Sequence, residues 1–170
     1  MVKVKKCEFA KKELKFLRHI ISREGIRTDS EKIEKMVNIG PPKNLKELRL
    51  RLGLFSFYRQ YIKGFSGITK PMYKLTQIEN RKYVPFVWNE KRQKAFDEIK
   101  KRIMIAPIVA YSDFEKPFIL YMDASGEGIR AVLHQKDDQG KERIIACASR
   151  ALNQYEKNYP ITEKECLAII

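Results

Sequence analysis

Asp123 is the residue of this 170-residue chain whose setting most suggests chemistry. It closes the run FILYMD at residues 118–123, where Phe118, Leu120 and Met122 alternate with Ile119 and Tyr121 in a strand that reads as covered on both faces. A carboxylate there is costly unless it is paired or holds a cation, so Asp123 is a candidate metal ligand. Its residue type equally suits a turn-initiating aspartate that bonds its own backbone. The following Ser125-Gly126-Glu127-Gly128 supplies glycines for a tight reversal, and Ile129, Ala131, Val132 and Leu133 supply a returning strand.

A second constellation sits in the segment 45–62, which the apolar spacing predicts to be the longest helix. Leu45, Leu48, Leu52 and Phe55 form one stripe and Leu50, Leu54, Phe57 and Tyr61 another, so the helix should touch something on two sides. Arg49, Gly53 and Phe57 recur at four-residue steps. A glycine inside a helix costs about 1 kcal/mol relative to alanine, and close approach of another backbone, either a packed helix or a nucleic-acid strand, would account for Gly53.

Charge favours the nucleic acid. Residues 1–110 hold 27 Lys and Arg against 11 Asp and Glu, whereas residues 111–170 hold 8 against 10. A one-sided excess interleaved with aromatic residues is the footprint of a nucleic-acid surface, more weakly of an anionic membrane surface, and at its plainest of a solvated lysine-rich face.

These groups must be positioned by a packed chain, and composition permits one: 44% of residues are hydrophobic and 33% charged. No apolar run is long enough to span a bilayer and the basic start lacks a signal-peptide core, so an intracellular location is expected. Cys7, Cys147 and Cys166 lack metal-ligand spacing with His19 and His134 and read as buried thiols. In chain order, a half-exposed strand is expected over 2–9 and a second over 14–21, forming a hairpin. A helix capped by a Thr28–Glu31 box follows and ends by Gly40, and the long helix opens at Asn44 and Glu47. Gly64, Gly67 and Pro71 punctuate its exit, residues 72–75 make a helical turn, and 77–82 is a polar connector and candidate boundary. A helix over 90–105 with Ala95, Phe96, Ile99 and Ile103 inward precedes the hairpin of Asp123. A third strand over 143–149 and a helix opened by Thr162 and Glu165 complete the order.

The succession KCEFAKKELKFLRHIISREGI, LRLRLGLFSFYRQYIKGFSGITKPMYKL, FVWNEKRQKAFDEIKKRIMIAPIV, FILYMDASGEGIRAVLHQ and ASRALNQYEKNYPITEKECLAII resembles the polymerase polyprotein of gypsy-type long-terminal-repeat retrotransposons. The resemblance covers nearly the whole chain. It implies an α+β fold: a palm-end hairpin and helical thumb followed by a truncated ribonuclease H-like β-sheet with flanking helices. Residues 1–27 would be the end of the reverse transcriptase palm, 28–80 a thumb-like helical region, 81–110 a connection helix and 111–170 the start of the ribonuclease H-like domain. Phe16, Leu17, Arg18 and His19 would match the primer grip, and Arg49, Gly53 and Phe57 the thumb helix that tracks a duplex minor groove. Asp123 and Glu165 would be the first two catalytic, Mg²⁺-binding carboxylates of the ribonuclease H.

The family's activities are RNA-directed DNA polymerisation and Mg²⁺-dependent endonucleolytic cleavage of RNA in an RNA–DNA hybrid. The paired polymerase aspartates have no counterpart here, since Asp137-Asp138 falls in a polar turn, and the two later ribonuclease H aspartates would lie past Ile170. The chain departs from the family at Arg18 and Arg130, where glycine is usual. The expectation is therefore a reverse transcriptase/ribonuclease H fragment that binds template–primer or hybrid but is catalytically incomplete. The alternatives are a non-catalytic nucleic-acid-binding module derived from a retroelement and an unrelated scaffold. The strand that carries Asp123 should expose an unpaired edge, which makes self-association of residues 111–170 an expectation while the oligomeric state stays open.

Overall fold

A computed structural model describes residues 9–79, 82–83 and 85–170. The strand expected over 2–9 lies, except for Phe9, outside them.

The chain first forms an antiparallel meander of β1 (Glu13–Phe16), β2 (His19–Ser22) and β3 (Gly25–Thr28). The single strand expected over 14–21 is thus two strands. Leu17 and Arg18 both adopt positive φ, 45° and 68°, and fold the chain back so that Phe16 pairs with His19. A two-residue hairpin favours that left-handed pair because it matches strand twist, but Leu-Arg does not announce it. At the next turn Gly25 has φ 132°, and a Cβ there would lie 2.3 Å from the Val109 carbonyl oxygen. The close approach lets Ile26 exchange backbone hydrogen bonds of 2.8 and 2.9 Å with Val109.

Helix α1 (Ser30–Val37) is capped by Asp29, whose carboxylate accepts from the Glu31 N–H at 3.1 Å. The expected Thr28 cap is wrong because Thr28 is still the last, buried residue of β3. Glu31 does not reach back but pairs with Lys15 at 2.8 Å. Helix α2 (Leu45–Ser56) opens as expected: Asn44 accepts from the Glu47 N–H at 2.9 Å, and Glu47 accepts from the Lys43 N–H at 3.0 Å. It ends earlier than expected, before a 3₁₀ turn at Arg59–Tyr61, where Tyr58, Tyr61 and Ile62 turn into the core. The second stripe is accordingly broken. Leu48, Leu52 and Phe55 are buried, whereas Leu50 is 78% exposed and Phe57 40%.

Helix α3 (Phe65–Tyr73) runs through Gly67 and Pro71, which sequence reading took as breakers, and continues into a 3₁₀ turn at Lys74–Thr76. Phe65, Thr69, Met72 and Leu75 bury at helical spacing, and that packing outweighs the one hydrogen bond Pro71 removes. After the short pair β4 (Ile78–Glu79) and β5 (Lys82–Tyr83), α4 (Glu90–Met104) is capped by Asn89 and turns Phe96, Ile99 and Ile103 inward. These join Ile33, Met36, Leu48, Leu52, Phe55 and Met72 in one core, so the helices on both sides of residue 80 share it.

The last sheet has the order β6 (Phe118–Ala124), β7 (Gly128–Lys136), β8 (Glu142–Ala151), all antiparallel, with α5 (Ile161–Ile169) against β6 and β7. It joins the helical part where the Ser66 N–H donates to the Ser149 hydroxyl at 3.0 Å and the Ala110 N–H to the Ile144 carbonyl at 2.8 Å. Three expectations fail here. Strand β6 is not covered: Phe118, Leu120, Tyr121 and Met122 are 36–49% exposed on an edge strand. Gly128 is required not by the turn but by β8, since a Cβ would lie 2.7 Å from the Arg150 carbonyl oxygen. Helix α5 begins at Ile161 after Pro160 with no side-chain cap, so Thr162 lies inside it.

Candidate functional site

The β1–β2 turn and the end of α2 meet through their side chains. His19 stacks on Phe57 with ring centroids 5.0 Å apart and planes 28° apart, and lies 5.7 Å from Tyr61. The Arg18 guanidinium carbon sits 5.8 Å from the Phe57 centroid, within cation–π range. The tip beyond them stays exposed, Phe16 at 55% and Leu17 at 70%. The structure therefore brings Arg18, His19 and Phe57 together, with Phe16 and Leu17 at the rim.

His19 carries the electrostatic signature of the turn. Its Nε2 is buried with no hydrogen-bond partner among the described residues. Burial pushes the imidazole below its ordinary value, opposed by a hydrogen bond to the Leu17 backbone.

Arg49 and Gly53 lie on exposed α2 in line with Phe57. A Cβ built on Gly53 would meet nothing within 4 Å among the described residues, so none of these occupies the space beside it. The α2 side thus presents a bare backbone strip flanked by a guanidinium, an aromatic ring and the exposed Leu50. It can take a flat or grooved partner with anionic and apolar parts. Of the second stripe read from the sequence, Leu50 stays on this surface, whereas Tyr61 is only 2% exposed because the chain turns inward where α2 stops.

Asp123 is in a different state from the one expected. It is the last but one residue of β6, directly across from Arg130 of β7, and the Arg130 guanidinium closes on its Oδ2 through Nε and Nη2. The two side chains are 53% and 47% exposed, so neither buried cation holding nor a turn bond describes the carboxylate. The turn bond belongs to Ser125, whose hydroxyl donates to the Gly128 carbonyl at 2.9 Å. Glu165 is exposed on α5. Among the described residues no three His, Cys, Asp or Glu gather closely enough to hold a metal ion. With Asp123 paired to a guanidinium, a cation on this carboxylate would compete with Arg130. Asp137 and Asp138 are, as expected, turn residues: Asp137 accepts from the Gln139 and Lys141 N–H groups at 3.0 and 2.9 Å, and Asp138 pairs with Lys116.

Comparison with known proteins matches residues 88–170 to the family described as RNase H-like domain found in reverse transcriptase. The retrovirus-related Pol polyprotein from transposon opus of Drosophila melanogaster is 38% identical over 99% of this chain and 17% of its own length. The corresponding polyprotein from transposon gypsy is 35% identical over 99% of this chain and 17% of its own, and the transposon Tf2-3 polyprotein of Schizosaccharomyces pombe is 34% identical over 97% and 12%. The chain therefore spans less than a fifth of these relatives. Among solved structures, the foamy viral protease-reverse transcriptase in complex with dsDNA matches at TM-score 0.80 and 28% identity over 94% of this chain and 32% of that one. The same enzyme in complex with RNA/DNA hybrid matches at 0.76 and 29% over 93% and 21%. The chain is homologous to retrotransposon Pol polyproteins, and its residues 88–170 match the RNase H-like domain found in reverse transcriptase.

Proposed function

We propose that this chain is the nucleic-acid-holding part of a gypsy-type reverse transcriptase/ribonuclease H, gripping template–primer or RNA–DNA hybrid through the β1–β2 turn and the exposed side of α2. Residues 1–27 act as the end of the palm, 28–80 as the thumb, 81–110 as the connection and 111–170 as the ribonuclease H-like part, inside the cell. Gly53 carries the reading: it sits in a helix interior, where glycine costs about 1 kcal/mol, and the space beside it is open. A nucleic-acid backbone approaching between Arg49 and Phe57 supplies the reason that packing among the described residues does not. The foamy viral structures with dsDNA and RNA/DNA hybrid support the same class of partner.

The reading treats the chain as catalytically incomplete by itself. Ribonuclease H chemistry clamps the scissile phosphate between two Mg²⁺ ions. Asp123, held by Arg130, and Glu165 are the two carboxylates this reading assigns to that clamp. Binding is thus expected to survive Asp123→Asn. The decisive test is Gly53→Ala: helix propensity should raise stability by about 1 kcal/mol, while anisotropy should show weaker binding of an RNA–DNA hybrid. A variant that is more stable and binds hybrid unchanged would overturn the assignment.

A further inference from the structure

Cations that the α2 surface does not use line two adjoining clefts on the α3 side. Lys70 and Lys74 contribute to both. Lys91 and Arg92 of the first turn of α4 complete one cleft of about 410 Å³, and Arg59 and Lys157 help line the other, of about 310 Å³. The second cleft also includes Ser56, the last residue of α2, and Arg59, two residues past Phe57.

Among the described residues, six cations face one carboxylate in these linings, that of Glu127. Glu127 pairs with Lys70, whose side chain is only 17% exposed. Burial, then the neighbouring Lys157, Lys74 and Lys91, push Lys70 below the usual lysine range, which registers the crowding of like charge. Arg92 is fixed by its own chain: Nη1 donates to the Val87 carbonyl at 2.7 Å and Nε to the Pro71 carbonyl at 3.3 Å. Its guanidinium is held in place while Lys74, Lys91 and Lys157 remain exposed around it. Uncompensated cations gathered in a concave surface raise the local concentration of anions and are relieved by them.

The geometry points to these clefts as a second phosphodiester-binding surface, which takes successive backbone phosphates of the same duplex beyond the α2 contact, without reading bases. This rests on the duplex-binding proposal above and extends its footprint from Phe57 to Lys91.

The test uses the full chain and an RNA–DNA hybrid longer than two helical turns, with binding followed by anisotropy across a salt series. Lys74→Gln/Lys91→Gln is compared with Lys94→Gln/Lys101→Gln, which removes the same charge from α4 outside the clefts. Each lost phosphate contact reduces the slope of log K against log salt by about 0.9 for a B-form duplex, so the cleft pair should flatten it by about 2 and the control pair should leave it unchanged. Equal slopes for the two variants, or no flattening by the cleft pair, would overturn the inference. No binding by the unmodified chain would instead remove the duplex reading itself, and with it this extension. Binding that Gly53→Ala weakens but the cleft pair does not would remove the extension alone.

Discussion

Replacing Arg130 by alanine should open Asp123 to divalent cations. The guanidinium approaches Oδ2 with two donors from the directly opposed position on β7. Because the side chains are 47% and 53% exposed, the pair belongs with solvent-screened ion pairs, worth about 0.2–1 kcal/mol. A divalent ion on the carboxylate would also meet the guanidinium charge; at about 6 Å in water-like dielectric that repulsion is about 1 kcal/mol, reduced further by salt. Removing Arg130 should therefore raise Mn²⁺ affinity by up to about fivefold, since about 1.4 kcal/mol would correspond to tenfold. Stability should fall by no more than about 1 kcal/mol, as for an exposed pair.

The assay is a Mn²⁺ titration at fixed ionic strength, read as paramagnetic broadening of the Asp123 and Ala131 backbone amides. Arg130→Lys should keep most of the repulsion and gain less. Unchanged affinity in Arg130→Ala, or a gain that persists when Asp123→Asn is added, would show that the guanidinium does not compete for this carboxylate.

Two further outcomes follow from the same structure. Burial lowers the His19 value from 6.5, so the folded state takes up its proton less readily than the unfolded chain. That contribution to stability is full above 6.5 and is lost as pH falls from there towards the depressed folded value. Denaturant unfolding at stepped pH should show the loss and His19→Phe should abolish it; identical pH profiles would refute the assignment. On edge strand β6, Leu120 is 49% exposed between Phe118 and Met122, and Leu120→Lys should suppress concentration-dependent association in sedimentation velocity. An unmodified chain that stays monomeric at high concentration would remove that expectation.

The parts of the fold that could be read from sequence are those where local chemistry and packing agree. Asn44 with Glu47 and Asn89 ahead of α4 are caps whose oxygens meet the amides their spacing implies. Leu48, Leu52 and Phe55, and Phe96, Ile99 and Ile103, bury as their periodicity requires. Reading failed where tertiary packing overrode a local signal. Pro71 and Gly67 sit inside α3 because Phe65, Thr69 and Met72 anchor it, and α2 stops at Ser56 because Tyr58, Tyr61 and Ile62 gain more by turning inward. Strand β6 misled in another way: an apolar run shows what a strand could bury, not whether a partner covers it in this chain.

The candidate site shows a sharper limit, because its contacts depend on strand register and register depends on turns. The glycine-bearing turn after Ala124 was recognisable, and it pairs Ala124 with Ile129, which places Arg130 opposite Asp123. That ion pair was therefore derivable once the turn was placed, and a reading that took Asp123 as lone overlooked its cross-strand neighbour. The Leu17–Arg18 turn offered no such handle. Two non-glycine residues at positive φ carry no compositional signal, and a continuous strand through them puts successive residues Arg18 and His19 on opposite faces. The observed turn instead brings both to Phe57, and that ring, 40% exposed at the C-terminal end of α2, is what the departure to Arg18 packs against. Arg18 and Arg130 are thus both turn-adjacent cations set by hairpin geometry against a group already singled out, one extending an aromatic surface and the other closing a carboxylate.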